Sequence, residues 1–238
     1  MTEIRVGTCG FCLPRKEYFG TFGLIEIQHT FYRPPQIETV RRWRAAAPSE
    51  FEFTLKAFQA ITHPGTSPTY RRSTLSPADR LKCGSFRNTA QVRDAWQKTR
   101  ALALELAASF VIFQCPRRFT PNDENVANLR RFFTWARRDG LVFGWEPRGQ
   151  DWTPELVRSL CRDLDLIHVV DPFQCAATHG RLHYFRLHRA QDYNYRFKNH
   201  ELEQLQSMCT APVNYCMFNN TFMLDDARRF QNLVGKRG

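Results

Sequence analysis

Eight short apolar runs alternate with helical patterns along almost the whole chain, and this alternation limits the fold more than any other feature. The runs cover residues 4–9, 24–31, 51–58, 109–115, 141–147, 166–171, 182–188 and 212–219; they are rich in Phe, Ile and Val and most end in a polar or turn residue. Helical patterns cover 37–47, 88–107, 122–139, 154–164, 201–208 and 224–234. Pro121-Asn122 and Thr153-Pro154 are helix starts, with Thr153 as the cap and Pro154 in the first helical position. Strands alternating with helices predict a parallel sheet. Eight of them in 238 residues match one closed (β/α)8 TIM-type barrel, expected to run as a single domain over residues 1–238. An open doubly wound sheet would share the alternation, but no Gly-rich dinucleotide loop follows the first run.

Side chains alternate between the two faces of a strand. In Leu24-Ile25-Glu26-Ile27-Gln28 the isoleucines face the helices, so Glu26 and Gln28 point into the barrel. The same register turns Thr54 and Lys56 inward, pairs Glu146 with Arg148, and puts Tyr184, Arg186 and His188 on one face of the seventh run. Gln114, Asp171 and Asn219 stand at the ends of the fourth, sixth and eighth runs. Charged groups inside a barrel are costly unless paired or at work, and barrel enzymes do their chemistry at the strand C-termini. The set is therefore expected to line one pocket. Glu26, Glu146, Asp171 and His188 are its candidates for catalytic acid–base work. Lys56, Arg148 and Arg186, with Gln28, Gln114 and Asn219, are its candidates for binding an anionic substrate. An ion-pair lattice that only fixes the barrel would use the same residue types.

Composition narrows the partners. The chain carries 34 Lys and Arg against 23 Asp and Glu, a net charge of +11, which favours nucleic acid, a nucleotide or a phosphorylated metabolite, or merely aids solubility. Tyr70, Tyr193 and Tyr195 lie in loops beside Arg71, Arg72 and Arg196; they are placed to stack on bases or simply to pack. The long segment 59–87 after the third run is expected to open on the same barrel face. No run of about 18 apolar residues crosses a membrane, and no secretory leader is evident, so a cytoplasmic protein with no evident protein partner is expected. The motifs of P-loop NTPases, zinc proteases and α/β-hydrolases are missing.

Eight cysteines stand at 9, 12, 83, 115, 161, 175, 209 and 216, and a chain of this size needs no disulfide framework. Cys9 and Cys115 end the first and fourth runs, and Cys83 falls in the loop after the third. Those three positions open on one barrel face, so their thiolates are expected to approach as ligands of zinc or an iron–sulfur cluster, with a position left for substrate. The competing reading is inert buried thiols, which covers Cys161, Cys209 and Cys216 in any case.

Several of these runs resemble a known family. Ile4-Arg5-Val6-Gly7-Thr8-Cys9-Gly10-Phe11, Glu26-Ile27-Gln28-His29-Thr30-Phe31-Tyr32-Arg33-Pro34-Pro35 and Phe51-Glu52-Phe53-Thr54-Leu55-Lys56-Ala57 are similar to the YecE-like family, domain of unknown function 72. So are Gln114-Cys115-Pro116, Glu146-Pro147-Arg148, Arg186-Leu187-His188 and Phe218-Asn219-Asn220, in order and over nearly the whole chain. The resemblance implies a TIM-type barrel related to the endonuclease IV and xylose isomerase group, and it supplies no activity. Members often carry Ser-Gly-Trp where this chain has Cys9-Gly10-Phe11, Leu-Pro-Pro at Cys115-Pro116-Arg117, and Gly at Arg189. The histidine-rich zinc set of endonuclease IV enzymes is not evident, so nuclease activity does not follow from the fold.

Three function classes follow. One is a barrel enzyme, hydrolase- or phosphodiesterase-like, acting on an anionic, phosphate-containing substrate, nucleic acid included. The second is a zinc or iron–sulfur enzyme built on Cys9, Cys83 and Cys115. The third is a noncatalytic nucleic-acid-binding protein.

Overall fold

The computed structural model describes residues 2–189 and 193–235. Eight parallel strands hydrogen-bond in chain order, and the last closes onto the first. They are β1 (Glu3–Cys9), β2 (Leu24–Ile27), β3 (Glu52–Lys56), β4 (Phe110–Gln114), β5 (Val142–Glu146), β6 (Ile167–Val170), β7 (His183–Leu187) and β8 (Val213–Phe218). The expected (β/α)8 TIM-type barrel is the fold of this chain. Ten helices are described: α1 (Arg15–Thr21), α2 (His29–Tyr32), α3 (Ile37–Ala46), α4 (Gln59–Thr62), α5 (Pro77–Arg80), α6 (Ala90–Glu105), α7 (Asp123–Trp135), α8 (Pro154–Asp163), α9 (Asn199–Met208) and α10 (Met223–Gly235). None of the described helices is long and apolar enough to cross a membrane.

Helix starts follow the capping chemistry read from sequence. Thr153 and Asn122 accept hydrogen bonds from the backbone of Leu156 and Asn125, and Pro154 opens α8. Three departures bear on the site. The second run stops at Ile27 and turns into α2, because the Thr30 hydroxyl reaches the carbonyls of Ile27 at 3.1 Å and Lys56 at 2.6 Å. Segment 59–87 is not one open loop: α4, a 3-10 turn over Pro68–Arg72 and α5 fold it back, and Ile61, Tyr70, Cys83 and Phe86 pack into the main core. Helices of four residues are too short to show a helical period. Finally, the crossover from β6 to β7, residues 171–182, contains no helix.

Two apolar layers result from the strand alternation. Ile25, Ile27, Phe53, Leu55, Val111, Phe113, Phe143 and Trp145 face the helices. Leu24, Phe110, Ile112, Ile167, Val169, Tyr184, Tyr215 and Met217 fill the barrel interior. Gly144 is the small member of that interior packing: a methyl group there would overlap the Phe110 ring and come within 2.6 Å of a Val169 methyl carbon. Gly144→Ala is expected to destabilise the fold by about 1–3 kcal/mol through overpacking. A lower urea midpoint at unchanged slope would show it; an unchanged midpoint would mean the interior has slack.

Candidate active site

Each interior residue near the top of a strand is followed, two positions on, by a polar one. Leu24 leads to Glu26, Thr54 to Lys56, Ile112 to Gln114, Gly144 to Glu146, Val169 to Asp171, and Tyr184 to Arg186 and His188. The period-two alternation therefore carries these side chains to the C-terminal face of the barrel. Glu26, Lys56, Gln114, Glu146, Asp171, Arg186 and His188 are all buried there.

Arg186 holds the centre and is fully buried. Its Nε donates to both Glu26 oxygens at 3.1 and 3.2 Å, and its Nη2 donates to Glu26 Oε1 at 2.9 Å. Its Nη1 donates to Gln114 Oε1 at 2.9 Å and to Glu146 Oε2 at 2.6 Å. Glu26 also accepts from the Tyr184 hydroxyl at 3.0 Å and from the Gln28 amide. Its carboxylate is thus saturated by protein donors and sealed from solvent. Glu146 meets a second cation, with Arg148 Nε donating to Oε1 at 2.7 Å. Burial alone would raise the Glu146 pKa, but the Arg148 and Arg186 charges outweigh it and hold the group well below the usual carboxylate range. Glu146 is therefore a fixed anion and a weak base.

Lys56 has a different environment. Its Nζ lies 3.6 Å from the centroid of the Phe31 ring, and no hydrogen bond or carboxylate within 4 Å engages it among the described residues. Burial, then the Arg186 and Arg148 charges, lowers its pKa from the ordinary 10.5 to about 7, against a smaller opposing pull from Glu146 and Glu26. His63 meets the same Phe31 ring edge-on at 4.9 Å and pairs its Nδ1 with the Thr62 hydroxyl at 2.8 Å. Burial and the Lys56 and Arg148 charges push the His63 pKa down to about 3, so its imidazole is neutral.

His188 stands on the other side of Arg148. Its Nε2 lies 3.3 Å from Arg148 Nη2 and 3.7 Å from Glu146 Oε1. Nδ1 faces Asp171 Oδ2 at 3.5 Å. Asp171 is itself held by the Phe173 backbone N–H at 3.1 Å and the Gln174 amide at 2.9 Å. A cavity of about 1000 Å³ opens over Glu146, Arg148, Asp171 and His188 and runs along the helix-free crossover toward α8, past Arg117, Arg158 and His168. The ring of Tyr193, 49% exposed, lies 6.5 Å from that of His188.

Several expectations need correction. Cys9, Cys83 and Cys115 do not converge, and among the described residues no three His, Cys, Asp or Glu side chains are grouped to hold a metal ion. Cys9 belongs to the barrel interior, whereas Cys83 and Cys115 pack in the layer between strands and helices. Cys9 faces Arg186 Nη2 at 3.8 Å, Cys83 donates to the Asp79 carbonyl, and Cys115 accepts from the Trp145 indole at 3.2 Å. Burial raises the pKa of all three thiols, opposite to what thiolate ligation needs. Of the loop tyrosines, Tyr70 is buried with its hydroxyl on the His63 carbonyl, and Tyr195 is tied to Glu201; neither presents a free face for a base. The Arg72 side chain lies outside the described residues. Asn219 is half-buried; its backbone N–H extends the β7–β8 ladder to the Leu187 carbonyl, and its side chain takes no part in the network. The sequence reading passed over Phe31 and His63. The first sits in a run read as strand, and the second in irregular chain, where only the His63-Pro64 step after the third strand marked the barrel face.

Two consequences are measurable. Arg186→Met leaves the Glu26 and Glu146 carboxylates buried without their cation and is expected to cost about 3–5 kcal/mol in denaturant unfolding; a loss below about 1 kcal/mol would mean that water or other groups serve them. Lys56 binds its proton up to pH 10.5 when unfolded but only to about pH 7 when folded. Across that window the unfolded state holds more protons, so this residue's contribution to stability rises with pH from about 7 to 10.5 and is level below. The stability difference between wild type and Lys56→Met is expected to climb over that range; a flat difference would show an ordinary lysine.

Comparison with known proteins agrees with this architecture. Residues 15–238 match the family described as "Protein of unknown function DUF72". A DUF72 family protein from Enterococcus faecalis V583 superposes with a TM-score of 0.74 at 22% identity, covering 99% of this chain and 98% of that one. Another, from Thermotoga maritima MSB8, gives 0.69 at 19% identity, covering 98% and 99%. A more distant barrel, the xylose isomerase domain containing protein from Salmonella typhimurium LT2, gives 0.59 at 12% identity, covering 95% and 93%. No curated protein matches the chain. These likenesses extend to the whole barrel, and the chain belongs to the DUF72 family.

Proposed function

We propose that this protein is a barrel enzyme acting on an anionic, phosphate-containing substrate at the C-terminal face of its strands. The observation that carries this reading is an unspent cationic donor, on Arg148, at the wall of an open cavity. Arg148 commits Nε and Nη2 to Glu146 and His188, while its Nη1 has no protein partner among the described residues. Lys56 has no protein hydrogen bond either, and Arg117 and Arg158 add charge along the cavity wall. A cavity of about 1000 Å³ accommodates a sugar phosphate or one nucleotide of a longer strand.

The residues divide the labour. Arg148 binds the phosphate through its free donor edge. His188 is the residue that exchanges the proton, with Asp171 at 3.5 Å and Glu146 at 3.7 Å beside its ring. Glu26 and Gln114 touch no substrate; they hold Arg186, which holds Glu146, which orients Arg148. Gln28 stands behind Glu26 in the same chain. The net charge of +11 and the exposed Tyr193 ring beside His188 support a nucleic-acid version of the same substrate.

Calorimetric titration with ribose 5-phosphate and with inorganic phosphate at low salt tests the reading. Binding is expected for wild type, and Arg148→Gln is expected to weaken it by about tenfold to a hundredfold, the worth of one charge-assisted hydrogen bond. Equal affinity of wild type and variant would remove Arg148 from the site. Steeply salt-dependent binding of single-stranded DNA that ignores Arg148→Gln would favour a noncatalytic binder instead.

A further inference from the structure

His168 is a polar residue on the outer, helix-facing side of its strand. It pairs in register with outward-facing Trp145 and alternates with Ile167 and Val169 of the barrel interior. Residues 171–182 cross to β7 without a helix, so none covers this stretch of β6 from that side. The crossover folds back over the ring instead, and the backbone N–H and the hydroxyl of Thr178 both lie 3.1 Å from Nδ1. A backbone N–H only donates, so Nδ1 accepts, and the neutral ring carries its proton on Nε2. Burial keeps the ring neutral by lowering its pKa from the ordinary 6.5 to about 4. Among the described residues no hydrogen bond engages Nε2. Arg158 of α8 also reaches Thr178, with Nε donating to the carbonyl at 3.3 Å, and its terminal nitrogens have no protein partner among the described residues.

The cavity over Arg148 and His188 continues into this space, between α8 and the crossover. Its walls there are apolar, formed by Trp152, Pro154, Val157 and Ala177. The Trp152 indole N–H is spent on the Phe119 carbonyl at 2.7 Å, and its ring stacks on Phe119. Trp152 therefore offers the cavity only carbon surface. Two donors gathered on one residue interrupt an otherwise apolar slot. From Asp171, beside His188, back to His168 is three residues of extended chain, about 10 Å. A sugar in the slot would leave hydroxyls without partners against Trp152, Val157 and Ala177. A flat ring with acceptors on one edge would not.

We propose that this outer branch of the cavity is a nucleobase subsite, and that the ligand is a guanine nucleoside 5′-monophosphate. The position of the phosphate, on Arg148, rests on the function proposed above; the base subsite rests on His168, Arg158 and the apolar walls. Guanine presents two adjacent acceptors, O6 and N7, on one edge, which suits two donors. Adenine carries an amino group in place of O6 and would set donor against donor.

The test is calorimetric titration of the full chain at pH 7 with guanosine 5′-monophosphate, adenosine 5′-monophosphate, guanosine and ribose 5-phosphate. The guanine nucleotide is expected to bind at least about tenfold tighter than ribose 5-phosphate or the adenine nucleotide. Ala177→Leu fills the branch and leaves the Thr178–His168 contact in place; it is expected to bring the guanine nucleotide within about threefold of ribose 5-phosphate. The ring nitrogen resonances of His168 are expected to shift with guanosine and its nucleotide and to stay with ribose 5-phosphate. If guanosine binds and moves those resonances while ribose 5-phosphate does not bind, the base subsite stands and the phosphate reading falls. If ribose 5-phosphate binds through Arg148 and the guanine nucleotide binds no tighter, the base subsite is overturned and the phosphate reading stands. A preference that survives Ala177→Leu, or equal binding of the two nucleotides, overturns the proposal as well.

Discussion

A guanidinium without contact with water stands at the mouth of this barrel, and the arrangement around it follows from the need to satisfy it. Burying the Arg186 charge is affordable only because its three nitrogens make five hydrogen bonds to Glu26, Glu146 and Gln114. Burial works against the charged form, but the two carboxylates hold the Arg186 pKa well above its ordinary value. Strands β2, β4, β5 and β7 are thereby tied across the barrel end by side chains as well as by backbone ladders. Tyr184 and Thr54, linked by hydroxyls 2.8 Å apart, extend the network one layer down.

The same bonding divides the charged residues into two groups. Glu26, Arg186, Gln114 and Gln28 form a closed lattice, the arrangement that a purely structural ion-pair network would have. Arg148 and His188 are only partly bound by it and border the cavity, and Lys56 lies outside the lattice against Phe31. The closed half has the form an ion-pair lattice would take, and the open half is the part on which the proposed function rests. The lattice matters to the open half because it engages both Glu26 and Glu146, leaving Lys56 without a carboxylate partner among the described residues.

The barrel and the polar ring were legible because one rule governs both. Alternation with period two sorts Ile25 and Ile27 outward and Leu24 and Glu26 inward, and it needs no knowledge of the tertiary fold. Applied without exception, that rule also answers the thiolate question: Cys115 follows inward-facing Gln114 and so turns away toward Trp145, while Cys9 points in. Convergence of strand ends on one face does not bring sulfurs together when they occupy opposite sides of the sheet. Phe31 and His63 were not legible, because they lie where strand periodicity ends. The turn that places Phe31 depends on a hydroxyl reaching a carbonyl 26 residues along the chain, a contact no local pattern contains.

The β6–β7 crossover borders the cavity and carries no helix. Its residues from Gln174 to Thr178 border the ligand space, and Cys175 is exposed. On the strands, a residue facing the site shares its element with residues whose other face builds the core, so changing it risks the fold. Residues of this crossover are largely free of that double duty. Sequence change in this crossover therefore reshapes the wall of the cavity at little cost to the frame that holds the charged ring.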